Sequence, residues 1–65
     1  MVNKRVLKAA LANEGMAQWQ LAKKLGFEPT TFSDYLRGAR PAPEGFAQRV
    51  ARELGIDHKR LGFEP

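Results

Sequence analysis

Only three residues, Gly26-Phe27-Glu28, separate two segments whose apolar residues recur at helical spacing. That short join restricts the fold more than any other feature of the chain. In the first segment, 17–25, Leu21, Ala22 and Leu25 fall at i, i+1 and i+4; in the second, 29–37, Phe32, Tyr35 and Leu36 share one face. Gly26 sits where a left-handed residue closes a helix, and Phe27 where the closing motif places an apolar side chain. Pro29 suits the first position of a new helix, and the charge of Glu28 suits its N-terminal dipole. So few residues cannot turn the chain back as a hairpin, so the two helices must cross steeply, with the glycine making the corner.

The remaining elements follow from the same signals. A first helix is expected over 3–14, with Asn3 as N-cap, Val6, Leu7, Ala10 and Leu11 on one face, and Gly15 as the stop. Lys4, Arg5 and Lys8 fall on or near its polar side. Prolines at 41 and 43 make 39–43 a stiff loop. A fourth helix is expected over 43–54, with Phe46, Val50 and Leu54 inward and Gly55 closing it. Asp57 is placed to cap a short fifth helix ending at Leu61-Gly62. No run alternates with strand periodicity. Leu-Gly-Phe-Glu-Pro occurs at 25–29 and again at 61–65; each copy reads as a helix ending, not as half of a structural repeat. The expected fold is a single all-α domain over 1–65, a compact five-helix bundle.

Composition narrows the chemistry. The chain has 65 residues, no cysteine and one histidine, so neither disulfides nor an ordinary zinc site is expected to hold it together. Helix packing must do so, around a thin core. His58 with Asp57 or Asp34 is the only pair resembling catalytic groups, and no nucleophile–base–orienter set accompanies it. An enzyme is therefore not expected, nor a cofactor, a metal or a small-molecule ligand. No segment approaches the roughly 20 apolar residues of a membrane span, and the basic N-terminus lacks the apolar run of a signal peptide; a cytoplasmic location is expected. Eleven Lys/Arg against seven Asp/Glu leave a net charge of +4, which suits a polyanionic partner.

The corner between the second and third helices is the geometry of a helix-turn-helix. The face of the third helix opposite its apolar residues carries Thr30, Thr31, Ser33, Asp34 and Arg37. A row of short polar side chains lets a backbone approach base edges, where bulkier groups would hold it off.

The stretch Gln18-Trp19-Gln20-Leu21-Ala22-Lys23-Lys24-Leu25-Gly26-Phe27-Glu28-Pro29-Thr30-Thr31-Phe32-Ser33-Asp34-Tyr35-Leu36-Arg37-Gly38 resembles the core of lambda-repressor-like (Cro/CI-type, XRE) DNA-binding domains. The resemblance runs through Phe46–Gly55 and Ile56–Leu61, covering roughly 4–61. It implies a sequence-specific, repressor-like transcriptional regulator that reads the major groove of double-stranded DNA with the helix 29–37. Position by position, it implies that Gln18 donates to a phosphate and braces that helix. Pro29, Thr30 and Asp34 face bases, flanked by Thr31, Ser33 and Arg37, and Arg40 reaches the backbone. Leu11 and Leu36 fall where some members carry a buried Arg–Glu bridge; an apolar pair there avoids desolvating two charges. Ala17 departs from the usual Ser or Thr, which weakens the N-cap of the second helix. Pro29 stands where a base-reading Gln is common.

Lys24 is a further candidate phosphate contact. Trp19 is expected partly buried against the first helix, and Tyr35 in the core. Arg49 and Arg52 are expected in solvent, with Glu53 nearby, and Lys59 and Arg60 on a solvated last turn. Tight binding calls for a homodimer on two half-sites, for which the fifth helix and the tail around Phe63 are the candidate surfaces. The alternative is a protein-interaction domain on the same scaffold, such as an antitoxin or a phage regulator that captures a protein. An RNA-binding domain is a second alternative, disfavoured by the sparse aromatics outside the core pattern.

Overall fold

Asn3 takes an extended backbone conformation, and its side-chain oxygen accepts from the N–H groups of Arg5 and Val6 at 3.1 and 3.3 Å. The first helix, α1 (Lys4–Asn13), thus begins with two of its otherwise unpaired donors satisfied. The computed structural model describes residues 2–62. After α1 come α2 (Gln18–Lys24), α3 (Pro29–Arg37) and α4 (Phe46–Leu54), then a 3₁₀ turn at His58–Leu61. There is no strand among the described residues. The domain is all-helical and compact, with a radius of gyration of 10.4 Å, close to the roughly 11 Å of a packed domain this long.

Two boundaries differ from expectation. The fourth helix begins at Phe46, three residues after Pro43, because Gly45 adopts φ +78° and interrupts the helical path. The fifth element is a single 3₁₀ turn. Asp57 does cap it, accepting from the Lys59 N–H at 2.9 Å, but only His58–Leu61 separate that cap from Gly62. The tail residue Phe63 lies outside the described residues.

The corner after α2 is closed by backbone bonds. The Phe27 N–H donates to the Ala22 carbonyl at 2.8 Å and the Gly26 N–H to that of Lys23 at 3.1 Å. That pair defines a Schellman motif, and the φ of +85° it requires of Gly26 is costly for any residue bearing a Cβ. At the other end of α2, Ala17 offers no side-chain acceptor. Gln20 reaches back instead, its Oε1 accepting from the Ala17 N–H at 2.8 Å, which is half of a capping box.

The core draws on every element. Leu7, Ala10 and Leu11 of α1 meet Leu21 and Ala22 of α2, Phe32 and Leu36 of α3, and Phe46, Val50, Ala51 and Leu54 of α4. Val2 and Leu61 complete it. Phe32, Leu21, Leu61 and Val50 are fully buried, each stabilising the fold by about 1.5–3 kcal/mol relative to exposure. Leu11 and Leu36 are both buried, as an apolar pair. Phe27, Phe32, Tyr35 and Phe46 form an aromatic cluster with ring centroids 5.3–5.8 Å apart. This cluster anchors the inner face of α3 against α4. The N-terminal segment is tied down as well: the Val2 N–H donates to the Leu36 carbonyl at 3.0 Å and the Asn3 N–H to that of Leu61 at 2.6 Å.

Candidate nucleic-acid interface

With Phe32 and Leu36 fixed inward, the turn of about 100° per residue sends Thr30, Asp34 and Arg37 to the opposite side of α3. Pro29 and Ser33 occupy one flank of that row, Thr31 and Tyr35 the other. Pro29, Thr30, Ser33, Asp34 and Arg37 line an open groove together with Gln18 and Trp19 from the first turn of α2. Six of the nine residues singled out in the sequence therefore share one surface. Arg40 joins it through an ion pair with Asp34. Thr31 is half-buried on the far flank and does not line the groove. Lys24 lies off it too, its Nζ 3.2 Å from Glu53 Oε2 on α4.

Asp34 organises the charge of this face. Its Oδ1 accepts from Arg37 Nη2, and its Oδ2 lies 3.6 Å from Arg40 Nη2. The carboxylate is only 20% exposed, whereas both guanidiniums are more than half exposed. One acid thus holds two cations side by side, with a net charge of +1 across the three. Gln18, Ser33 and Arg37 also border an adjoining cleft whose rim carries Lys4 and Lys8 of α1. The α1 lysines thereby flank the same face, and no acidic side chain lines that cleft.

One residue differs from expectation, and another does more than was expected. Trp19 is 55% exposed and lines the groove, more open to solvent than expected. At about 100° per residue it stands roughly 160° round the helix from Leu21 and about 60° from Ala22, at the margin of the buried stripe. Arg49 is exposed but engaged: its guanidinium donates to the Leu25 carbonyl at 2.7 Å and lies 5.1 Å from the centroid of Phe27. It grips the end of α2 at the corner, and nothing local in the sequence announces a contact across 24 residues.

His58 Nδ1 stands 3.7 Å from Asp57 Oδ1, on the 3₁₀ turn and apart from the groove. Among the described residues no group of three or more His, Asp or Glu is arranged to hold a metal ion, and no helix is long and apolar enough to cross a membrane. No protein-family model, curated protein or solved structure matches this chain.

Proposed function

We propose that this domain is a sequence-specific, repressor-like transcriptional regulator of the lambda-repressor-like kind, acting on double-stranded DNA in the cytoplasm. In this reading α2 and α3 form the helix-turn-helix, and α3 enters the major groove. The observation that supports it most is the convergence on one open groove of Thr30, Ser33, Asp34 and Arg37 with Gln18 from the start of α2. Short polar side chains on a partly exposed helix face, flanked by Arg40, Lys4 and Lys8, supply what groove entry and phosphate attraction both require.

The roles divide accordingly. Pro29, Thr30 and Asp34 face bases with Thr31, Ser33 and Arg37 beside them. Gln18 and Arg40 hold the backbone, and Lys24 adds a backbone contact when it leaves Glu53. One such domain buries about 600–1,000 Å² of its surface on DNA. Tight binding therefore uses a homodimer on two half-sites about 34–36 Å apart, one helical turn.

Substitution on a selected binding sequence tests the division. Thr30→Ala and Asp34→Ala are expected to change which sequences are preferred. Gln18→Ala and Arg40→Ala are expected to weaken binding to all sequences alike. Uniform effects from all four would refute the assignment of roles.

A further inference from the structure

Among the described residues, Trp19 stands apart from the other aromatic side chains. Phe27, Phe32, Tyr35 and Phe46 pack on one another, while the single tryptophan of the chain is 55% exposed on the first turn of α2. Its ring separates two hollows. One is the groove shared with Thr30, Ser33 and Arg37; the other is lined by Gln20, Lys23 and Lys24, with Glu14 from the end of α1 the one acid beside its two lysines. The Lys23 Nζ lies over the ring, 5.8 Å from its centroid. A flat apolar surface and a cation are thus held together beside the outward row of α3.

We infer that Trp19 and Lys23 form a seat for one sugar–phosphate unit of a DNA duplex, the indole packing on a deoxyribose and the lysine pairing with the adjoining phosphate. This rests on the proposed DNA reading and specifies it. The major groove is about 12 Å wide, and an α-helix with its side chains is about 10–12 Å across. A groove holding α3 is therefore full. A residue on α2 beside it meets the rim, which is sugar and phosphate, not the base edges at the floor. An indole has a broad face for the C–H bonds of a sugar and an Nε1–H to donate to a phosphate oxygen. Lys23, one turn further along α2, supplies the charge. The seat carries no sequence information, so it adds affinity without adding specificity.

Two independent signals test this, because the single tryptophan reports on its own surroundings while a fluorescent label on a random-sequence duplex reports on binding. On titration with the duplex, Trp19 emission is expected to change and its quenching by acrylamide to fall. Trp19→Ala is expected to weaken binding several-fold on every sequence, with the salt slope kept and the unfolding midpoint unchanged; Trp19→Phe recovers part of the loss. Lys23→Gln is expected to lower the slope of log K against log salt by about one. If the labelled duplex binds while Trp19 emission stays constant and Trp19→Ala binds as tightly as the parent, the seat does not exist and Trp19 faces something else, such as a protein partner. If the labelled duplex fails to bind at any salt concentration, the DNA reading itself falls, and the seat with it.

Discussion

The guanidinium of Arg49 donates to the carbonyl of Leu25 at 2.7 Å, joining α4 to the residue that caps α2 and leads into the corner. That carbonyl belongs to the group a helix end leaves without an internal partner. The same guanidinium lies over Phe27, the residue that follows the corner glycine, and one turn away Glu53 pairs with Lys24. Through these contacts α4 fixes the direction in which α3 departs. Arg49→Ala is expected to lower stability by about 0.5–1.5 kcal/mol, the usual net worth of one such hydrogen bond, read as a shift of the urea midpoint at constant slope.

Gly26 makes a second test of the corner. A Cβ built there meets nothing within 4 Å, so crowding contributes nothing and the φ of +85° contributes everything. Gly26→Ala is expected to cost about 1–2 kcal/mol, measured by urea unfolding, with Gly26→Asn costing less because asparagine tolerates the left-handed region. Equal losses for the two would point to a cause other than backbone conformation.

Phe32 lies at the centre of the core, with no exposed surface. Phe32→Ala removes a ring packed on Phe27 and Phe46 and is expected to cost about 3–5 kcal/mol. A domain of this size has only a few kcal/mol in reserve. Circular dichroism is expected to show the variant largely unfolded at room temperature.

Asp34 restrains both Arg37 and Arg40. Asp34→Asn keeps the shape of the side chain but removes the charge, leaving Arg40 free to pair with phosphate and Arg37 free to turn into the groove. Affinity for random-sequence duplex is expected to rise several-fold, with a steeper salt dependence. An unchanged salt slope would mean that Arg40 does not contact DNA phosphate.

The parts of this fold that could be read from the sequence are those set by neighbours in the chain. Asn3 caps α1, Gly26 and Phe27 close α2, and Pro29 opens α3 through contacts spanning at most five residues. The start of α4 escaped because two local signals conflict: Pro43 favours the first turn of a helix, and Gly45 two residues later leaves the helical conformation. The last element proved a 3₁₀ turn because four residues between an Asp cap and a left-handed glycine give little room for more. What remained hidden depends on distant partners. Arg49 meeting Leu25 and Glu53 meeting Lys24 are consequences of how α4 lies against α2. The pairing of Asp34 with Arg37 spans a helical i,i+3 step and was open to inference; the addition of Arg40 depends on the path of the loop after α3.

Backbone amide chemical shifts, followed while a duplex is added to labelled protein, test most directly whether α3 presents its outward row to DNA. The largest changes are expected at Thr30, Ser33, Asp34 and Arg37, with a second set at Gln18 and Trp19. The buried positions Leu21 and Val50 are expected to move little. Changes concentrated on α4 and the 3₁₀ turn, with Thr30 through Arg37 unmoved at saturating duplex, would contradict it.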